Sequence, residues 1–450
     1  MTAPTTPPAR SGHGRGELAS GGATPMARKA VFSATLSTAL EWFDFAVYGT
    51  LAATVFPVVF FPDLTPTVAL LASFGTFGAG FLARPLGGVV FGNLGDRIGR
   101  RRVLTYTLIV MGTASALIGV LPGYATIGLV APFLLVLMRF AQGFAAGGEM
   151  TGAQLMALEH APHDRRGFYS SFIAIGSPIS QVMATLTLTG LAATLDDHAF
   201  TTWGWRIPLV ASFLLVIVAV YIRRRVEETP DFTIDREQSG KTERPRALAV
   251  FRTHPRIVIT LILSWAAAGA LFYITTVFSL SYMTRTLGFA KDLTFGLMVA
   301  ANLTSICAAL VGGRFADRIG RRNTLALGLL ALAAFSLPLF AIIDTRNIAL
   351  IAVCIAGCLS SVQFMAAAQP TLFAESFPIS MRYTGSAAGY TGANLLFSAP
   401  APFIASWLLT TFDGNTWAIT GYTLVLIAIS FGALAFLPNR TSDDLEGAHR

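Results

Sequence analysis

Residues 92–101 read GNLGDRIGRR, and residues 313–322 read GRFADRIGRR. Seven of the ten positions coincide at an offset of 221. A second echo is independent of the first. Glu159, Pro162 and Arg166 in EHAPHDRRG return as Glu375, Pro378 and Arg382 in ESFPISMRYTG, at an offset of 216. Two elements that recur in the same order, each at the end of an apolar stretch, mark a chain built from two parallel halves.

The chain around these anchors is apolar. It has 450 residues, 54% of them hydrophobic and 12% charged, with 42 glycines, 34 phenylalanines and a mean hydropathy of +0.62. A soluble domain carries about 25% charged residues, so burial in a bilayer is the simplest account of this composition. Segments long enough to span recur from end to end. The first half gives 31–55, 68–92, 103–121, 126–149, 168–194 and 206–223. The second gives 256–282, 292–312, 324–343, 347–373, 383–410 and 416–437. The expected fold is an all-α membrane protein with twelve transmembrane helices in two pseudo-symmetric six-helix bundles, 29–223 and 256–437. A polar, charged loop at 224–255 links them. Residues 1–28, rich in Pro, Gly, Ser and Thr with no apolar core, are expected to be a disordered cytoplasmic tail and not a signal peptide. A second cytoplasmic tail follows at 438–450.

Charge sets the orientation. Arginines crowd the ends at Arg97–Arg102, Arg165–Arg166, Arg223–Arg256, Arg314–Arg322 and Arg382, whereas the opposite loops hold only Arg206, Arg285, Lys291 and Arg346. By the bias of basic residues toward cytoplasmic loops, both termini are expected on the cytoplasmic side of the membrane. The same bias explains the net charge of +8, and no basic stripe on a soluble domain calls for nucleic acid. Trp203 and Trp205 read as interfacial anchors. Cys307, Cys354 and Cys358 stand in apolar segments with no His or acid beside them, so they read as packing residues and not as metal ligands.

The pattern G-x-x-x-D-R-x-G-R-R resembles the signature loop of the major facilitator superfamily. A tight turn needs glycines such as Gly95 and Gly99. Asp96 can accept from backbone amides at a nearby helix end. The arginines can pair with acids on neighbouring spans, Glu159 and Glu375 being the natural partners. Gly92, Asp96, Arg97, Gly99, Arg100, Glu159 and Arg166, with Asp317, Arg318, Gly320, Arg321, Glu375 and Arg382, are therefore read as a cytoplasmic latch that holds the outward-open state. Positive charge here also anchors topology.

Charged groups at span depth are costly and mark function by default. The first half holds Glu41 and Asp44 in ALEWFDFAVYG, Arg84 in FLARPLGG, Arg139 in MRFAQGFAAGGE, and Glu149 after it. The second half lacks counterparts: span seven reads LILSWAAAGALFYITTVF, and span ten has no arginine at the place of Arg139. The asymmetry points to one charged coupling site in the first half. Glu41 and Asp44, three residues apart, share a helix face. Low dielectric favours a neutral carboxyl and a nearby arginine favours the carboxylate, so a proton can bind or leave as Arg139 comes and goes. A permanent Asp44–Arg139 pair that only holds helices together is the alternative. Glu41 is expected nearer the cytoplasmic water, with a weaker coupling role. Arg84 could meet a substrate carboxylate by a bidentate contact or pair with an internal acid.

The stretches EWFDFAVYG, FLARPLGGVVFGNLGDRIGRRR, RFAQGFAAGGE, WGWRIP and ESFPISMRYTGSAAGY together resemble the metabolite:proton symporter family, over roughly 31–437. That family includes carriers of 2-oxoglutarate, citrate, shikimate, proline and betaine. The resemblance implies proton-driven import, and the RFAQG stretch is similar to the fourth-span arginine motif of proton-driven members. Osmolyte members of the proline/betaine type often carry a long C-terminal coiled coil, and the thirteen residues after Leu437 leave no room for one, which tilts the expectation toward an organic acid.

Polar candidates for a midplane substrate site are Gln181, Tyr273, Asn302, Gln363, Gln369, Tyr390 and Asn394. Any of them could instead bond between helices. Gly176-Ser177-Pro178 lacks the longer Gly/Pro pattern of drug–proton antiporters, which favours symport, and Pro178 is expected to shape its helix. The expected protein is a monomeric alternating-access carrier that takes a small-molecule substrate and protons across the lipid bilayer, without a cofactor. A proline/betaine-type osmolyte symporter is the second reading, ahead of an exporter or a nutrient sensor. An enzyme is disfavoured, since neither H-E-x-x-H nor G-x-S-x-G occurs.

Overall fold

The computed structural model describes residues 25–98, 100–161, 165–223, 249–378 and 381–439. Most of the amino-terminal tail and central loop, nearly all of the carboxy-terminal tail, Gly99 and Pro162 lie outside them, as do the side chains of Asp96, Arg97, Arg100 and Glu159. The described residues are helical from end to end. Spans 1 to 4 are Pro25–Thr54, Pro66–Ile98, Arg100–Val120 and Val130–His160. Span 5 is Arg166–Ala174 followed by Gly176–Thr194, and span 6 is Arg206–Arg223. The second half follows with Pro255–Thr286, Asp292–Ile319, Arg321–Asp344, Ile348–Glu375, Arg382–Thr411 and Trp417–Leu434 as spans 7 to 12.

Eleven of these are long and apolar enough to cross a membrane. Span 1, with 30 residues, reaches about 45 Å at the usual helical rise and carries Glu41 and Asp44 along its course. Spans 2, 4 and 8 run beyond their apolar cores, to Ile98, His160 and Ile319. Hydropathy senses only the bilayer-buried part of a helix, and polar turns continue it into water. All three extensions lie at the end of the molecule that bears residues 92–101 and 313–322, called here the repeat end.

Span 2 packs along span 4, and span 8 along span 10. The approach is as close as backbone allows. A Cβ on Gly143 would stand 1.8 Å from the Gly80 carbonyl oxygen, and one on Gly147 would stand 2.0 Å from that of Arg84. Small residues of this kind let membrane helices touch backbone to backbone. Gly143→Val is accordingly expected to destabilise the first bundle by about 3 kcal/mol or more, read as a lowered melting temperature of the purified protein. A melting curve equal to wild type would show that the seam can open at no cost. The halves meet where span 2 faces span 11, and where span 5 faces spans 8 and 10.

Span 7 is not a regular helix. It breaks at Trp265 and contains π-type turns at Ile274–Phe278 and Tyr282–Thr286. Span 11 carries another at Asn394–Ser398. Such turns free backbone groups and concentrate at functional sites. Span 5 is interrupted at Ile175, just before Gly176-Ser177-Pro178.

Two side-chain expectations need correction. Trp203 is half exposed, but Trp205 is fully buried against Phe56 and Phe60, with its indole N–H donating to the Thr201 carbonyl at 2.9 Å. Edge-to-face packing between spans, not the interface, takes that ring. Cys354 and Cys358 are buried as packing residues, whereas Cys307 lies exposed on the outer face.

Candidate functional site

The intramembrane charges converge on span 1. Arg84 Nη2 of span 2 donates to Glu41 Oε1 at 2.8 Å, and both side chains are almost wholly buried. Arg84 thus meets an internal acid. Glu41 does not sit toward water as expected. The tight seam between spans 2 and 4 turns Arg84 inward, and a buried carboxylate is retained when such a partner is present.

Asp44 and Arg139 do not touch. Arg139 Nη1 donates to Gln142 Oε1 at 2.6 Å, Gln142 Nε2 donates to Ser115 Oγ at 2.5 Å, and Ser115 Oγ donates to Asp44 Oδ2 at 2.5 Å. The direct pair anticipated from the sequence is replaced by two neutral side chains in series. Aromatic faces hold the guanidinium off the carboxylate: Arg139 Cζ lies 4.1 Å from the ring centroids of both Phe45 and Tyr48. Arg84 stacks on two buried rings, 4.4 Å from Phe45 and 4.8 Å from Phe81. Phe45 therefore contacts both cations, each contact contributing about 0.5–2 kcal/mol. Neither Ser115 nor Gln142 was marked by charge in the sequence. Gln142 had a usable signal, since it lies three residues after Arg139 on the same helix face.

Two cavities open beside this array. One, toward the repeat end, is lined by Gln363, Gln369, Tyr390 and Asn394 with Thr38, Gln154 and Trp265. The other is lined by Gln181, Asn302, Thr50 and Thr276. Every polar substrate candidate apart from Arg84 thus lines one cavity or the other, and Tyr273 lines both. Between the cavities stands an aromatic layer contributed by both halves. Trp42 meets Phe272 edge-on at 5.3 Å, and Tyr273 meets Phe77 and Phe81 at 5.6 and 5.7 Å. At this depth the charges belong to the first half and the facing half offers neutral Gln, Asn and Tyr.

The ends of the interface are also bridged. At the repeat end, Asp317 accepts from the backbone amides of Gly167 and Phe168 at 2.8 and 2.9 Å. Those amides belong to the first turn of the Arg166–Ala174 helix in the other half, where unpaired N–H groups and the helix dipole favour a carboxylate. Arg321 lies 3.5 Å from Glu375 and 3.8 Å from Asp317. Gly320 turns the chain at φ +90°, a conformation open to glycine at no steric cost. Arg318 is exposed. Arg382 donates to the Ala374 carbonyl at 3.0 Å, at the end of span 10, and Tyr383 donates to the Gly148 carbonyl at 3.0 Å across the halves. At the opposite end Arg285 donates to the Ala53 carbonyl. The two halves are thus bridged at both ends of the interface.

The profile of the Major Facilitator Superfamily matches residues 31–399 and, in a second pass, 279–448. The chain is 37% identical to the shikimate transporter of Escherichia coli (strain K12) over 411 residues, which is 90% of this chain and 93% of that one. It is 34% identical to the proline/betaine transporter of Salmonella typhimurium (strain LT2) over 416 residues, 89% of this chain and 81% of that one. Among solved structures it superposes on the proton:xylose symporter XylE bound to 6-bromo-6-deoxy-D-glucose with a TM-score of 0.75 at 16% identity, covering 94% of this chain and 99% of the other.

Proposed function

The chain belongs to the Major Facilitator Superfamily and is a multi-pass membrane transporter, and from that premise we propose that it imports a small organic acid together with protons by alternating access. The observation that carries this reading is the one-sided charge array: Glu41–Arg84 and Asp44–Ser115–Gln142–Arg139 in the first half, facing cavities walled by neutral polar groups of the second. Carboxylates buried beside arginines can exchange protons when a partner is displaced. Neutral amides and a phenol can bind a solute's hydroxyl and carboxyl oxygens without fixing it too firmly for release.

In this account the repeat end is cytoplasmic, and the protein works as a monomer in a bacterial inner membrane. Asp44 takes a proton while the site faces outward. A substrate carboxylate enters beside Tyr273 and Tyr390, which line the cavity toward the repeat end, and competes with Glu41 for the Arg84 guanidinium. Closure at the outer end follows, the contacts of Asp317 and Tyr383 part, and release inside returns Asp44 to its hydrogen-bonded carboxylate state. A small ring-bearing or chain carboxylic acid of the 2-oxoglutarate, citrate or shikimate kind fits this chemistry.

The second reading is an osmolyte of the proline/betaine type. The aromatic layer of Trp42, Phe272 and Tyr273 favours it, since such faces also attract a quaternary ammonium, and the similarity to a proline/betaine transporter agrees. The test is proton movement in proteoliposomes of the purified protein on addition of 2-oxoglutarate, citrate, shikimate, proline or betaine. Alkalinisation of the outer medium with one of the acids is the expected result. A response confined to proline or betaine would move the protein to the osmolyte reading, and no response to any of the five would remove both.

A further inference from the structure

The three hydrogen bonds between Arg139 and Asp44 all point one way. The guanidinium gives to the Gln142 carbonyl, the Gln142 amide N–H gives to Ser115, and the Ser115 hydroxyl gives to the carboxylate. Hydrogen bonds in series polarise one another, so the charge at each end stabilises the charge at the other through the chain. Gln142 is fully buried, Ser115 likewise, and they come from different helices, spans 4 and 3. A second feature is independent. The Ser115 hydroxyl has an alternative acceptor, the Met111 carbonyl at 3.1 Å, one turn back on its own helix. A third is that Asp44 Oδ1, Arg139 Nε and Arg139 Nη2 are buried without a hydrogen-bond partner.

We propose that Ser115 and Gln142 are positioning residues for proton coupling, transmitting the protonation of Asp44 to Arg139 by rotation of one hydroxyl in place of a direct ion pair. This rests on the reading of Asp44 as the proton site. A proton arriving from the aqueous phase binds Asp44 Oδ1, the oxygen with no partner, and no bond other than that O–H forms. The carboxyl is then neutral, and Oδ2 becomes a weaker acceptor. The Ser115 O–H turns to the Met111 carbonyl, the chain from Gln142 loses its polarised end, and Arg139 keeps a weakened bond to Gln142 beside its aromatic faces. Those faces include Phe77, 5.1 Å from the guanidinium. Phe77 in turn packs on Tyr273 of the opposite half. The neutralised acid is thereby linked to the layer that separates the two cavities. Departure of the proton reverses each step.

The groups that share this environment are few. On span 1 they are Glu41 and Tyr48, on span 2 Arg84, on span 4 Arg139 and Glu149, and on span 7 Tyr273. On span 6 the Ser212 hydroxyl donates to the Leu209 carbonyl at 2.8 Å, and span 5 carries no titratable side chain over Gly176–Thr194. Of these, Glu41 is already bonded to Arg84, whereas Asp44 receives its hydrogen bond from the Ser115 hydroxyl, which can turn away to the Met111 carbonyl.

The test needs no solute. Spin labels on Arg102→Cys and Asn323→Cys, exposed positions near the two repeat loops, report the separation of the halves in purified protein reconstituted in nanodiscs. The native cysteines are replaced by alanine. Between acid and alkaline medium the ratio of the two separations is expected to change about tenfold, the shift that ~1.4 kcal/mol of linkage supplies. Asp44→Asn should abolish the change. Ser115→Ala and Gln142→Leu should each reduce it to less than about twofold, while Ser115→Thr, which keeps the hydroxyl, should restore it. A merely structural role for Ser115 would not give that rescue. Wild-type responses in Ser115→Ala and Gln142→Leu, with the response lost in Asp44→Asn, would overturn the bridge and leave the coupling site standing. A wild-type protein with no response, or an Asp44→Asn protein with a full one, would overturn the coupling site and the bridge together.

Discussion

Asp44→Asn is expected to abolish accumulation of solute against its gradient while leaving exchange of solute across the membrane in place. The carboxylate is buried, receives a 2.5 Å hydrogen bond from Ser115, and sits at the end of a chain that begins at Arg139. Asparagine keeps the shape and one acceptor but cannot take up or give back a proton. A gradient of one pH unit stores about 1.4 kcal/mol per proton, enough for roughly tenfold accumulation at one proton per solute. The substituted protein should fall to a ratio of about 1, the value for carriage without coupling. Counterflow of preloaded, labelled solute should persist, because neither cavity loses a wall. Uphill accumulation at the wild-type level in Asp44→Asn would remove this carboxyl from the coupling mechanism.

Asp317→Ala is expected to release the repeat end. Its carboxylate accepts from two backbone amides of the opposite half, Gly167 at 2.8 Å and Phe168 at 2.9 Å, and stands 3.8 Å from Arg321. Hydrogen bonds to a charged group contribute about 1.5–3 kcal/mol each. Opening of this end exposes the freed amides to water, which recovers part of that energy. A net loss of about 1.4–2.7 kcal/mol would raise the open-to-closed ratio roughly 10- to 100-fold. The spin-label pair at positions 102 and 323 reads that ratio directly. Asp317→Asn should fall between the two, since it keeps an acceptor and loses the charge. An unchanged distance distribution in Asp317→Ala would show that close packing alone, such as Gly313 against Gly167, closes this end.

The difference between what these two sites disclosed in the sequence has a physical origin. The repeated loops, the twelve apolar runs and the charges at Glu41, Asp44, Arg84 and Arg139 were all legible, because polar groups at span depth stand out against a hydrocarbon background. Partner choice was not legible. Glu41 and Asp44 lie three residues apart on one face, and either could have met either arginine. The decision falls to the separation of spans 2 and 4, which is set by backbone contact at Gly80, Gly143 and Gly147. Ser115 is one hydroxyl among many in the apolar spans and carried no signal until span 3 was placed beside span 1. At the repeat end the kind of contact was readable, an aspartate receiving amides at a helix end. Its partner was not, because Gly167 lies 150 residues from Asp317. The equivalent contact of Asp96 falls outside the described side chains.

The coupling claim is tested most directly by driving the carrier with protons alone. Purified protein in liposomes, given an inward gradient of about one pH unit and labelled shikimate, 2-oxoglutarate or citrate, is followed for internal solute with and without a protonophore. The account predicts that one of these acids rises inside above its external concentration, and that the protonophore abolishes the rise. Entry that stops at equal concentrations with the gradient intact, or accumulation indifferent to the protonophore, would contradict it.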